Sequence, residues 1–137
     1  MQRQVDGRVA FETLLETADV ISLHCPLNES TSMLFGAEEF RRMKPEAILI
    51  NTARGGLVDS AALVDALRNG DIAAAAIDVL PEEPPINGNP LLDYDGPNLM
   101  MSPHVAWASN EARQAAIDQL AACAQSFLDG GTMNRVV

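Results

Sequence analysis

The chain has 137 residues, with 9 Lys+Arg against 19 Asp+Glu and a formal net charge of −10. Hydrophobic residues at 47% and charged residues at 20% are an ordinary globular balance in a chain long enough to bury a core. So negative a surface argues against nucleic acid, which needs clustered Lys and Arg, and against anionic lipid; neither is an expected partner. Two cysteines, Cys25 and Cys123, cannot form a disulfide framework, and no C-x-x-C or Cys/His cluster points to a metal. Met1–Asp6 lacks the apolar run of a secretory signal, and no stretch approaches bilayer length, so a reducing cytoplasm is expected.

Phe11–Ala18 places apolar residues at helical spacing. Asp19–Cys25 is a compact apolar run halted by Pro26 and reads as a buried strand. Ala37–Lys44 is a second short helix, stopped by Pro45, and Ala47–Ile50 a second buried strand. The glycine-bearing loop Asn51–Gly56 follows. Asp59 is placed to cap a helix over Ser60–Asn69, and Gly70 stands where a left-handed cap belongs. Ala73–Val79 pits four alanines against Ile77 and Val79; with a helix just ended, a strand lined by small residues is the better reading. Pro81–Pro97, with five prolines, reads as one long ordered loop of the kind that carries function. Asn98–Met101 is a fourth short strand. Ser109–Asp129 is a long helix whose inner stripe is Ala116, Ile117, Leu120, Ala121, Ala124, Phe127 and Leu128, with Cys123 expected in the core.

This alternation predicts an α/β fold, a parallel sheet with flanking helices. In such sheets ligands bind beyond the carboxyl ends of the strands. The residues just past those ends are His24 and Cys25, then Thr52 and Arg54, then Asp78 and Glu83, then His104. Four separate strands thus deliver an arginine, two carboxylates and a histidine to one edge. A histidine beside a carboxylate is a tunable acid–base group, because the carboxylate orients the ring and stabilises the imidazolium. An arginine in a glycine-flanked loop offers a planar fork for a substrate carboxylate. With a nucleotide-type sheet, this set suits carbonyl reduction: Arg54 holds the acid, His104 supplies the proton and a nicotinamide supplies hydride.

Four segments carry a family resemblance: Leu23-His-Cys-Pro-Leu27, Ile50-Asn-Thr-Ala-Arg-Gly-Gly-Leu-Val-Asp59, Ile77-Asp-Val-Leu-Pro-Glu-Glu-Pro84 and Ser102-Pro-His-Val-Ala-Trp-Ala-Ser109. In this order they resemble the NAD-binding domain of the D-isomer-specific 2-hydroxyacid dehydrogenases, over residues 5–131. Trp107 and the following Glu111-Ala-Arg-Gln114 are most similar to the glycerate dehydrogenase or hydroxypyruvate reductase branch. The resemblance implies a Rossmann-like fold. It also implies that Arg54 binds substrate and polarises its carbonyl, that His104 is the acid–base and that Glu83 pairs with it. Asp78 would contact the nicotinamide carboxamide, and Cys25, Pro26, Thr52, Ala53, Arg54, His104 and Ala106 would line the cofactor. Formate dehydrogenases of the same superfamily carry Gln where Glu83 stands, which favours a 2-oxo or 2-hydroxy acid such as hydroxypyruvate or glyoxylate as the small-molecule partner.

The glycines stand at 7, 36, 55, 56, 70, 88, 96, 130 and 131, and no G-x-G turn occurs. Residues 1–137 are therefore expected to be the C-terminal portion of the nucleotide domain, without the substrate domain or the G-x-G-x-x-G segment that holds the pyrophosphate. The choice between NAD and NADP is not readable here. The chain alone is then expected to be a truncated module, either catalytically inactive with a structural, dimerising or corepressor-like role or able to turn over. An exposed sheet edge should seek a partner, and a homo-oligomer, a dimer as is usual in the family, is expected.

More local readings stand beside these. Arg54 could pair with Asp59, Glu83 could be a solvated charge as Glu82 is expected to be, and Asp78 could simply cap its loop. His24 and Cys25 read as lining residues and not as reacting groups.

Overall fold

The structure, a computed structural model, describes residues 7–136, and the chain divides into two compact units, Met1–His104 and Val105–Val137. The first unit runs α1 (Phe11–Thr17), β1 (Val20–Leu23), α2 (Ala37–Arg42), β2 (Ile48–Asn51), a single 3₁₀ turn (Gly55–Leu57), α3 (Ser60–Asn69), β3 (Ala74–Ile77) and β4 (Leu99–Met101). The strands form one sheet in the order β1-β2-β3-β4, every pair parallel. Each predicted element is present, trimmed by a residue or more at most ends. The Ala73–Val79 alternative resolves as a strand, and no helix or strand interrupts 81–97.

Local chemistry explains the boundaries. The Asp59 carboxylate accepts the amide N–H groups of Ala61 and Ala62 at 2.9 and 3.1 Å, and α3 ends on Gly70 at φ +74°. The Gly36 N–H donates to the Glu39 carboxylate at 3.0 Å, opening α2. The core joins Leu15, Phe40, Leu63 and Leu67 of the helices to Ile21, Leu23, Leu49, Ala75 and Ile77 of the strands. Phe35 sits among them, meeting Phe11 edge-on at 5.7 Å between ring centroids.

The strands were expected to be buried on both faces; the structure corrects this. In β1 and β2 burial alternates: Ile21, Leu23, Leu49 and Asn51 are buried, whereas Val20 is 53% exposed and Ile48 lies near the surface. The cause is topological. Successive parallel strands laid down in order, joined by crossovers of one hand, put α2 and α3 on the same face of the sheet. Among the described residues of this unit the opposite face carries no helix, and Met100 on it is 72% exposed.

The second unit is built on α4 (Asn110–Leu128), capped by Ser109, whose hydroxyl accepts the Ala112 N–H at 3.1 Å. Its stripe from Ala116 to Leu128 was expected to be buried, and none of it is; Cys123 is half-buried and not a core residue. A lone helix has no second element of its own unit on which to bury such a stripe. Among the described residues no helix is long and apolar enough to cross a membrane, and both cysteines are free thiols.

Candidate active site

Strand register aligns Leu23, Asn51, Ile77 and Met101 in one row across the carboxyl edge of the sheet. Immediately beyond that row stand His24, Thr52, Asp78 and Ser102, with Cys25, Arg54, Glu83 and His104 farther along the same loops. The backbone ladder continues past it, with the Asp78 N–H donating to the Asn51 carbonyl at 2.9 Å and the Ser102 N–H to the Ile77 carbonyl at 3.1 Å. The loops leaving β2, β3 and β4 are therefore sewn to one another before they diverge.

After β2 the turn is organised by Asn51, which is wholly buried. Its side-chain carbonyl accepts the Ala53 N–H at 3.1 Å and its amide donates to the Arg54 carbonyl at 3.0 Å. This closes a tight loop with Arg54 at its tip. The loop is held from a second side, because the Met33 N–H donates to the Gly56 carbonyl at 2.8 Å and the Phe35 N–H to Leu57 at 3.0 Å. Gly55 packs directly on the next loop, where a Cβ would stand 2.0–2.3 Å from backbone atoms of Leu80 and Pro81. Arg54 is exposed, donates to the Ala53 carbonyl at 2.7 Å and makes no salt bridge among the described residues. Asp59 caps α3, so the Arg54–Asp59 pairing is not formed.

After β3 the carboxylate of Asp78 is buried and accepts a hydrogen bond from the Ser102 hydroxyl. Glu83 lies farther along, where one carboxylate oxygen accepts the Leu80 N–H at 2.7 Å and the other meets His104 Nδ1 at 2.6 Å. A carboxylate at that distance assigns the proton to Nδ1, which donates. The Leu80 N–H chiefly, and His104 next, hold the Glu83 carboxyl below its ordinary value. Glu82 instead takes the Asn87 amide at 2.8 and 3.0 Å, so the choice between adjacent glutamates falls on Glu83.

His104 follows β4. Its N–H donates to the Asp78 carbonyl at 2.8 Å, and its φ of +55° is one that non-glycine residues seldom adopt. After β1, Cys25 is half-buried, Pro26 is exposed and accepts the Thr31 hydroxyl on its carbonyl, and His24 Nε2 lies 2.8 Å from the Ser22 hydroxyl. Thr52 and Ala53 lie at the start of the arginine loop, whereas Ala106 belongs to the second unit.

Two contributors were not singled out by sequence reasoning. Asn51 carries its signal in the pattern of an Asn closing a strand three residues before Arg-Gly, a local turn-former. Ser102 has no signal of its own, because its partner Asp78 is 24 residues away.

The comparisons with known proteins bear on the family and the fold. The family described as "D-isomer specific 2-hydroxyacid dehydrogenase, NAD binding domain" matches residues 1–106. The glycerate dehydrogenase of Methylorubrum extorquens is 53% identical over 131 residues, which cover 96% of this chain and 42% of that protein. The glyoxylate reductase of Aeropyrum pernix is 43% identical over 132 residues, covering 93% and 39%. Among solved structures, the D-isomer specific 2-hydroxyacid dehydrogenase of Lactobacillus delbrueckii ssp. bulgaricus, in its NAD-complexed form, superposes with a TM-score of 0.82. It is 32% identical and the match covers 94% of this chain and 43% of that one. The chain thus spans less than half the length of the relatives it matches. With the sheet, the four ordered motifs and the match over residues 1–106 in agreement, this chain belongs to the D-isomer-specific 2-hydroxyacid dehydrogenase family, within its NAD-binding domain.

Proposed function

We propose that this chain is the C-terminal portion of the NAD-binding domain of an oxidoreductase that transfers a hydride between NAD(P)H and a small 2-oxo or 2-hydroxy acid. Hydroxypyruvate and glyoxylate are the first candidates, in keeping with the names of the relatives. One observation carries the reading: Glu83 meets His104 at 2.6 Å while the exposed Arg54, presented from a different strand end, has no acidic partner among the described residues.

The residues fit a nicotinamide cofactor. Asp78 sets a buried carboxylate at the end of β3, an acceptor suited to a carboxamide N–H, and its neighbours Thr52 and Ala53 have small side chains. Cys25, Pro26, Thr52, Ala53 and Asp78 would hold it. When bound, the nicotinamide supplies or takes up the hydride at the substrate carbon.

This chain's own residues do the rest. Arg54 binds the substrate carboxylate and polarises the adjacent carbonyl with its planar fork. His104 gives a proton from Nε2 to the carbonyl oxygen as that oxygen gains charge, and recovers one there in the reverse reaction. Glu83 holds Nδ1–H, which fixes the tautomer and stabilises the imidazolium. The two electrons and the hydrogen arrive as hydride, and the second hydrogen comes from His104, so the keto acid becomes a hydroxy acid without a further reactant.

NADH oxidation, measured on the protein expressed from its complete reading frame with each acid, tests this. Turnover should fall at least about 10³-fold in His104→Ala, while Arg54→Lys should mainly raise KM for the acid. Wild-type rates surviving in His104→Ala would remove the assignment. The homodimer and the cytoplasmic setting belong to the same proposal, and light scattering giving a clean monomer at high concentration would count against the first.

A further inference from the structure

We infer that Ser102 is a positioning residue for His104: its hydroxyl, donating to the buried Asp78 carboxylate, clamps the Ser102–His104 segment onto the end of β3. This rests on the reading of His104 as the acid–base, but its structural part can be tested without turnover.

The segment Ser102-Pro103-His104 has to leave β4 and present a histidine in a left-handed backbone conformation, at φ +55°. A histidine rests there only when its surroundings over-determine it. Two backbone bonds hold the segment to β3, Ser102 N–H to the Ile77 carbonyl at 3.1 Å and His104 N–H to the Asp78 carbonyl at 2.8 Å. Between them stands Pro103, which has no N–H to give. The Ser102 hydroxyl adds a third tether to the same stretch of β3, and a charge-assisted one, since its acceptor is a carboxylate. Asp78 is 4% exposed, so its carboxylate depends on donors for its burial. One bond thereby serves both residues: it solvates Asp78 and anchors the turn from which His104 reaches Glu83 at 2.6 Å. Without that tether the segment is held less tightly, and any relaxation toward negative φ carries the imidazole away from Glu83.

The experiment compares Ser102→Ala, Ser102→Thr and Ser102→Cys by amide hydrogen exchange and by the imidazole Hδ1 resonance of His104. Position 102 is exposed and precedes a proline, a setting in which threonine keeps the hydroxyl and fits the extended backbone. In Ser102→Ala the His104 amide should exchange about tenfold faster, the equivalent of one hydrogen bond, and the Hδ1 signal should weaken. Exchange at the core residues Leu49 and Leu63 should be unchanged, and Ser102→Thr should restore both local signals. Ser102→Cys keeps the volume with a weak donor and reads the clamp if the alanine variant does not fold.

In the complete protein, Ser102→Ala should lower kcat about tenfold while KM for the acid, held by Arg54, stays within about twofold. The inference is overturned if Ser102→Ala leaves the His104 amide and Hδ1 as in wild type. It is overturned equally if all variants lose core and local protection together, or if Ser102→Thr fails to restore the local signals. Wild-type protein that does not turn over, with the exchange result as expected, removes the reaction assigned above and leaves the clamp standing.

Discussion

The loops that follow β2 and β3 meet the same task by different means. Asn51–Val58 is short and closes on itself: the side chain of Asn51 bonds to Ala53 and Arg54 within three residues, and Gly55 and Leu57 are buried. The loop from Asp78 to Pro97 is long and largely exposed. Its candidate site residue, Glu83, is placed by one local bond to Leu80 and one to His104, 21 residues away. The first loop is specified by its own residues and brings a rigid backbone to the site. The second acquires its geometry from the assembled sheet. A perturbation of the first should therefore register as lost stability, and one of the second as lost function at nearly constant stability.

The largest effect is expected where the two loops touch. Gly55→Ala puts a Cβ 2.0–2.3 Å from backbone atoms of Leu80 and Pro81, which cannot step aside as a side chain can. Urea denaturation should show a loss of about 3 kcal/mol, at the upper end of overpacking costs. At Gly56 the obstruction is the end of the exposed Leu27 side chain, at 2.8 Å, and Gly56→Ala should cost less than about 1 kcal/mol. Equal losses at the two glycines would erase the distinction between a backbone contact and a yielding one.

Asn51→Ala comes next. It removes a buried amide that serves one donor and one acceptor of the arginine loop, and should cost about 2–3 kcal/mol in the same measurement. An unchanged midpoint would mean that the loop closes without its side-chain bonds.

The smallest effect on stability belongs to Glu83, a partly exposed group. Glu83→Gln should change stability by less than about 1 kcal/mol. Its pH dependence has a definite sign. The folded carboxyl titrates below the ordinary 4.5, so its contribution is complete above 4.5 and disappears as pH falls through the lower folded value. The Leu80 amide resonance, bonded to that carboxylate, should accordingly titrate with a midpoint below 4.5 and lose this titration in Glu83→Gln. A midpoint at or above 4.5 would show that the carboxylate is not held.

The same contrast explains what could be read in advance. The Asp59 cap, the Gly70 stop and the strand at Ala74–Ile77 follow from local propensity and from neighbours a few residues apart, and were legible. Arg54 was legible for a similar reason, since its loop carries its own glycines. Glu83 over Glu82 came from a motif, and the physical ground appeared only with the 2.6 Å contact to His104 and the Glu82–Asn87 bonds. The Ser102–Asp78 bond was not legible, because a serine before proline is ordinary in sequence and matters only against a buried carboxylate from another strand. The stripe of α4 misled, because amphipathic spacing records a tendency to be covered and cannot name the cover.

By itself the sequence determined which segments become helix and strand, that the sheet is parallel, and the delivery of Arg54, Asp78, Glu83 and His104 to one edge. These depend on periodicity, caps and strand ends, which act over a few residues. The tertiary structure decided which face of the sheet is buried, which glutamate meets the histidine, and which backbone and side chain Gly55 and Ser102 meet. Those outcomes depend on contacts between residues far apart in the chain, such as His104 and Glu83 at 2.6 Å, and only the folded sheet brings them within reach of one another.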